Sequence, residues 1–273
     1  MLFAYYIKKN SLIGDARVGQ LLRDMSDAGH ELYQVQCPAD VKQGTAALLS
    51  LGGDGTFLLG ARIAVSADIP ILGVNFGRLG FLSEMKPEEL MSYIASGDLK
   101  IDLRPLLQLS LSGAECEDFW PYAFNEVSVS RVSASMLGID VTVDGAVLPT
   151  YWADGLLVAT SSGSTAYSLS VGGPICTPDT KVFIIAPVSP HNLNVRPLIV
   201  PQSSKISISL RSRDEYAVLT MDNRDYTIPV GAKMELSLSV KDLKKITSGQ
   251  STFIDALRSR LLWGADVRNN KEL

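Results

Sequence analysis

The sequence predicts two architectures in one chain, an open parallel α/β sheet followed by a β-rich domain. Three patterns point there. Over roughly the first hundred residues, short apolar runs alternate with stretches of helical period. From Leu106 to about Ile246, short strands of near-alternating polarity follow one another. The tail then returns to helical spacing. At 273 residues the chain has room for two ordinary domains. The expected partition is 1–98 together with 250–273 for the α/β domain, its C-terminal helix returning to it, and 99–249 for the β-rich domain.

Leu2 to Ile7 is apolar and rich in aromatics, a strand. Val18, Leu21, Leu22 and Met25 fall on one helical face, and Gly29 can end that helix. Glu31 to Gln36 reads as a second strand. Ala46 to Leu51 is apolar without alternation, as a parallel strand covered on both faces should be. A glycine-rich turn leads into a helical stretch over 56–65, and Pro70 to Val74 is a further strand. Pro87 opens a helix at its tolerated first position and Gly97 closes it. In the second half, Leu107-Leu109-Leu111, Ile139-Val141-Val143 and Ile206-Ile208-Leu210 alternate, and Asp144-Gly145 marks a tight turn. A helical insert is expected near 164–170. In the tail, Phe253, Ile254, Leu257 and Leu261 are expected to share the apolar face, with Arg258 and Arg260 pointing elsewhere.

Composition removes several functional classes. Twenty-five Lys and Arg face 29 Asp and Glu, a net charge of −4 with no like-charge block, which argues against a nucleic-acid-binding face. Cys37, Cys116 and Cys176 lie far apart beside only two histidines, so neither a disulfide framework nor a Cys/His zinc site is expected. The apolar N-terminus is too short for a secretion signal and no run reaches a membrane span, giving a cytoplasmic expectation without membrane partners. There is no P-loop, no Gly-x-Ser-x-Gly and no His-Glu-x-x-His. Gly53-Asp54-Gly55 fails as a dinucleotide fingerprint because Leu58 stands where the third glycine would be.

Two clusters carry the chemistry. Gly52-Gly53-Asp54-Gly55-Thr56 lies between a buried strand and a helix, where glycines permit a sharp turn and the helix start attracts phosphate. An acid there serves either as a simple helix cap or as a group acting beside the phosphate. The second cluster runs from Asp154-Gly155 through Ser162-Gly163-Ser164-Thr165-Ala166-Tyr167-Ser168-Leu169-Ser170 to Gly172-Gly173-Pro174. It is dense in hydroxyls and glycines, either a self-capping turn or a source of donors for sugar hydroxyls and phosphates. Asn125-Glu126 is polar inside an otherwise apolar strand, either an exposed edge or a binding pair.

These segments resemble the NAD kinase family. Gly52 to Thr56 matches the Gly-Gly-Asp-Gly-Thr motif, which diacylglycerol and sphingosine kinases share. Asn75-Phe76-Gly77-Arg78-Leu79-Gly80-Phe81-Leu82, Asn125-Glu126, the 154–174 run, Pro187 to Leu193 and Arg196-Pro197-Leu198 match further family segments. The resemblance implies phosphoryl transfer from ATP to the 2′-hydroxyl of the adenosine ribose of NAD, giving NADP, with Asp54 as general base. It implies that Gly52, Gly53 and Thr56 bind the donor phosphates. Mg²⁺ or another divalent cation would be held mainly by those phosphates, with no dedicated metal ligands. Asp54, Gly55, Phe81, Asn125, Glu126, Asp154, Ser162, Thr165, Ala166, Tyr167, Ser168, Leu169 and Ser170 would bind NAD, with Phe81 near the adenine, Asp154 at the nicotinamide end and Tyr167 stacking in the adenosine pocket. A homodimer or homotetramer is implied as well. Trp152, Thr160-Ser161-Ser162 and Asp222-Asn223-Arg224 depart from the pattern of some relatives. His191 reads as a structural hydrogen-bonding residue. The competing readings are a lipid kinase and a non-catalytic NAD(P) sensor.

Overall fold

The computed structural model describes residues 1–8, 12, 14–77, 80–248 and 253–263. Arg78 and Leu79 of the 75–82 motif, and the tail from Gly264, lie outside the described residues. The chain divides into two compact units, Met1–Leu103 with Leu243–Leu273, and Arg104–Asp242.

Unit 1 is an α/β layer. Its elements are β1 (Leu2–Ile7), α1 (Ala16–Asp27), β2 (Glu31–Gln34), β3 (Thr45–Leu51), α2 (Asp54–Ser66), β4 (Ile71–Val74) and α3 (Pro87–Ser96). β1 pairs in parallel with β2 and β3, and β3 in parallel with β4. Ala47, Leu48, Leu49 and Leu51 of β3 are all buried, on both faces of the strand, which is why its sequence lacks alternation. Val18, Leu21 and Met25 bury one face of α1, and Gly29 ends the turn after it at φ 80°. Pro87 starts α3, and Gly97 stops it in the left-handed conformation. The core joins Phe3, Leu21, Met25, Leu49, Leu72 and Leu90.

Unit 2 is built from strands. β5 (Lys100–Ser112) leads into β6 (Tyr122–Ala123), β7 (Glu126–Arg131), β8 (Leu137–Val143), β9 (Ala146–Val147), β10 (Tyr151–Ala153) and β11 (Gly155–Thr160). A 3₁₀ turn (Ser162–Thr165) and the short α4 (Tyr167–Ser170) form the helical insert. β12 (Val182–Val188), β13 (Leu198–Pro201), β14 (Ile206–Arg211), β15 (Tyr216–Met221), β16 (Arg224–Pro229) and β17 (Lys233–Thr247) complete it. One six-stranded antiparallel sheet runs β13-β12-β11-β7-β15-β16. β8, β10, β14 and β17 pair antiparallel in order β10-β8-β14-β17. The strict buried–exposed alternation of β14 follows its Ile-Ser-Ile-Ser-Leu-Arg sequence. Asp144 and Gly145, both at positive φ, make the tight turn from β8 to β9.

β17 leaves unit 2 and ends in unit 1, where Lys245 stands opposite Ile71 of β4 in parallel register. The final helix, α5 (Phe253–Leu261), belongs to unit 1. Its buried face differs from the expected one. Ala256 and Leu257 are buried and Phe253 packs on Phe81, whereas Ile254 is 56% exposed and Leu261 36% exposed. Phe253, Ala256, Leu257 and Arg260 follow the i, i+3, i+4, i+7 spacing, so the stripe is completed by a small residue and an arginine stem. Among the described residues no helix is long and apolar enough to cross a membrane.

Candidate active site

The glycine turn follows β3 directly. Gly52 sits at φ +149°, and a Cβ there would lie 2.5 Å from the Thr56 hydroxyl, so both backbone and space demand glycine. Its N–H donates to the Val74 carbonyl (2.9 Å), and the Thr56 N–H donates to Gly53 (2.9 Å). These two amides shape the turn and are not directed at a ligand.

The residue at the helix cap position is Gly53; Asp54 is the first residue of α2 itself. The simple capping reading of Asp54 is thereby overturned. Its carboxylate turns away from its own helix and accepts three successive backbone amides of a distant loop. Phe81 N–H donates to Oδ2 (2.8 Å), and Leu82 and Ser83 N–H to Oδ1 (3.0 Å each). The loop approaches this closely because Gly80 has no side chain, since a Cβ there would stand 1.9 Å from Asp54 Oδ1. Asn75 closes the loop from inside. Its Oδ1 accepts the Gly77 N–H (2.8 Å), its Nδ2 donates to Ser83 (3.3 Å), and its own N–H donates to Met85 (2.8 Å). The 75–82 motif is thus a device that delivers amides to Asp54.

Two cations stand around this loop, and sequence reasoning missed both. Lys245, 4% exposed, donates to Glu84 Oε1 (2.6 Å) and to the Phe81 carbonyl (3.5 Å). The guanidinium of Arg260 lies 5.0 Å from the centre of the Phe81 ring, and among the described residues its Nε and Nη1 are buried without a hydrogen-bond partner. Burial pushes its pKa down, opposed by the charges of Glu84 and Asp54. Arg260 therefore faces the site rather than pointing elsewhere. A weak signal exists in the sequence, because Arg260 falls seven residues after Phe253 on the same helical face.

In unit 2 a cavity of about 430 Å³ is lined by Asn125, Glu126, Ala166, Tyr167, Asp222 and Asn223, among others. Asn125 and Glu126 are each 8% exposed, and β7 is flanked by β11 and β15, so the pair is no exposed edge. Thr160 holds the pair from one side. Its hydroxyl donates to Phe124 (2.7 Å) and accepts the Gly163 N–H (3.1 Å), while its N–H donates to Asn125 (2.9 Å). Gly163 must be glycine, since a Cβ would lie 2.1 Å from the Asn125 carbonyl.

Asp222 holds the pair from the other side. Its carboxylate accepts the N–H of Phe124 (2.9 Å), Asn125 (2.7 Å) and Glu126 (3.3 Å). Burial raises the pKa of Asp222. Glu126 is pushed up to about 8, first by burial, then by the neighbouring Asp222 charge, against a lowering bond from the Tyr167 N–H. Glu126 Oε2 is buried with no partner. The hydroxyl oxygens of Ser162 and Ser168 are likewise buried and unpartnered, with Gly173 close over Ser168.

The expected site residues therefore fall into two groups. Gly52, Gly53, Asp54, Gly55, Thr56 and Phe81 gather in unit 1, and Asn125, Glu126, Ala166 and Tyr167 gather around the unit 2 cavity. Ser162, Thr165, Ser168, Leu169 and Ser170 lie on the adjoining turn and helix and do not line that cavity. Phe81 packs against Phe253 and Arg260. Asp154 is ion-paired with Arg131 at 2.7 Å. Trp152 is 37% exposed, and His191 lies in an exposed loop with its N–H on the Trp152 carbonyl.

Two family models cover most of this chain. One described as the ATP-NAD kinase N-terminal domain matches residues 20–96, and one described as the C-terminal domain matches 124–248. The chain belongs to the NAD kinase family. A relative named NAD kinase from Flavobacterium psychrophilum is 34% identical over 275 residues, covering 98% of this chain and 93% of its own length. Another of that name from Bacteroides fragilis is 40% identical over 225 residues, covering 81% and 77%. Among solved structures, an Archaeoglobus fulgidus NAD kinase in complex with ATP superposes with a TM-score of 0.72 at 26% identity, covering 97% of this chain and 98% of that one. Yeast NADH kinase complexed with NADH shares the fold, with a TM-score of 0.86 at 23% identity and 99% and 90% coverage. Family membership makes the chain an enzyme of the kinase class and sets aside both the lipid-kinase and the non-catalytic sensor readings.

Proposed function

We propose that this enzyme transfers the terminal phosphoryl group of ATP to the 2′-hydroxyl of the adenosine ribose of NAD, with Asp54 as general base. One observation carries the reading. Asp54 is fixed at a glycine turn by three amides, which occupy three of the roughly four acceptor positions of a carboxylate and leave one without a partner among the described residues. That position takes the hydroxyl proton as the ribose oxygen attacks the terminal phosphorus. The bond from that phosphorus to its bridging oxygen breaks, and ADP leaves with the electron pair.

The backbone amides of Gly53, Asp54 and Gly55, at the start of α2, receive the donor phosphates. Arg260, half-buried and within electrostatic reach of Asp54, adds positive charge on the same side. Among the described residues no group of three or more His, Cys, Asp or Glu could hold a metal ion alone. A divalent cation such as Mg²⁺ would be held mainly by phosphate oxygens and water and would supply neutralisation of the transferring charge. Asn125 and Glu126 bind ribose hydroxyls, Tyr167 stacks on the adenosine, and Ser162, Thr165, Ala166, Ser168, Leu169 and Ser170 shape that pocket. Asp154, ion-paired with Arg131, binds the nicotinamide end. The enzyme acts in the cytoplasm as a homodimer or homotetramer.

The test is a matrix of donors (ATP, polyphosphate) against acceptors (NAD, NADH, diacylglycerol) with Mg²⁺, reading phosphorylated product by mass. NADP formed from ATP and NAD is the expected result. Product only with diacylglycerol, or none with any pair, would overturn the reading.

A further inference from the structure

The turn joining β15 to β16 does more than reverse the chain. Asp222 and Asn223 form it in two residues, with Asp222 at φ 51° and Met221 paired to Arg224. From this turn the carboxylate of Asp222 takes the amides of Phe124, Asn125 and Glu126, and its own N–H donates to the Glu126 carbonyl (3.0 Å). Two residues on, Arg224 takes the same segment by its carbonyls. Nη1 donates to Trp120 (2.8 Å) and Nη2 to Tyr122 (2.6 Å), with the guanidinium 4.8 Å from the centre of the Trp120 ring. Trp120 and Tyr122 meet edge to face, and Tyr226 supplies a further contact to Nη1 at 3.3 Å. Arg224 itself does not line the cavity that Asn125 and Glu126 line.

We propose that Arg224 and Asp222 are positioning residues for the acceptor site, a clamp that grips residues 120–126 by carbonyls and amides and so fixes Asn125 and Glu126. The proposal rests on the reading of that cavity as the NAD site. The chemistry of the clamp is specific. A free carboxylate is the side chain that can accept three amides converging on one point, and a planar guanidinium can satisfy two carbonyls while stacking on indole. Lysine offers a point charge that cannot do both. The charge of Arg224 also offsets part of the cost of burying the Asp222 carboxylate.

The experiment compares wild type, R224A and R224K by steady-state kinetics and by hydrogen exchange of the folded protein. In R224A, KM for NAD rises about ten-fold and KM for ATP stays unchanged, and amide exchange at 124–126 quickens about ten-fold while that of β14 is unaffected. R224K falls between R224A and wild type on both readouts. If KM for NAD and exchange at 124–126 both stay at wild-type values, the clamp is refuted. Exchange that rises equally across unit 2, with kcat lost and KM kept, reduces Arg224 to a general stabiliser and also refutes it. Should R224A fail to fold, the same two measurements on R224K decide between these outcomes. Failure of wild type to phosphorylate NAD would sink the functional reading instead, and exchange at 124–126 would still decide the clamp.

Discussion

Two carboxylates, one in each unit, do the same thing to the backbone and end in different chemical surroundings. Asp54 collects the amides of Phe81, Leu82 and Ser83; Asp222 collects those of Phe124, Asn125 and Glu126. Asp54 opens a thirteen-residue helix, beside a glycine turn, with a half-buried arginine nearby. Asp222 lies in a hairpin turn with another carboxyl as its neighbour, and burial raises the pKa of both acids. A carboxylate at a helix start meets the positive end of the helix dipole. One beside a second buried acid is a scaffold, and its negative charge falls as a burden on Glu126. The same bonding pattern therefore does not by itself identify a catalytic residue.

The comparison breaks most visibly at Asp54. D54N should lower kcat by about 10²–10⁴-fold, the usual worth of a positioned base, with NAD affinity by calorimetry largely kept. Its melting temperature should drop as well, because an Asn amide turned toward Phe81 sets donor against donor. Wild-type turnover in folded D54N would remove Asp54 from catalysis. G80A is the second test. Its Cβ would stand 1.9 Å from Asp54 Oδ1, so it should displace the carboxylate and reproduce much of the kcat loss with Asp54 still present. Unchanged kcat in G80A would show that the loop amides do not orient the base.

On the other side the effects should appear in NAD binding. Y167A removes a side chain that is 42% exposed at the cavity, and KM for NAD should rise on the order of ten-fold with kcat nearly unchanged. A collapse of kcat at constant KM would assign Tyr167 a different role. The smallest effect is expected for E126Q in the absence of substrate. The folded protein holds the Glu126 proton up to about pH 8, whereas the unfolded chain releases it near the ordinary 4.5. Stability from this group is complete below the lower value and is lost as pH rises through the higher one. Gln cannot ionise, so the melting temperature of E126Q should decline less than that of wild type between about pH 5 and pH 8. Superimposable profiles would mean that Glu126 is already ionised in the fold.

The order of elements in both units is legible because each has a period. β3 reads as buried by its unbroken apolar run, β14 by its alternation, and α3 by Pro87 and Gly97. What stays hidden are pairings that period cannot encode. The 54-to-81 and 222-to-125 contacts join residues far apart in the chain, and nothing local in Asp222-Asn223-Arg224 announces more than a turn. The α5 stripe differs from expectation for a related reason. Counting large aliphatic side chains favours Ile254 and Leu261, while packing chooses Ala256 and the stem of Arg260. Motif resemblance brings Asp54, Asn125 and Glu126 to notice, but only the close approach of backbone and side chain explains why Gly80 and Gly163 accompany them.

The path of β17 bears on how the chain folds as it is made. Unit 1 is written in two pieces, its last strand segment and helix following the whole of unit 2 in sequence. During synthesis the β4 edge at Ile71, which pairs with Lys245 in the finished protein, has no partner until Lys245 leaves the ribosome. Unit 2 is contiguous and can close as soon as its own residues have emerged. The half that carries Asp54 is begun first and completed last, with an apolar strand edge open to mispairing in the interval.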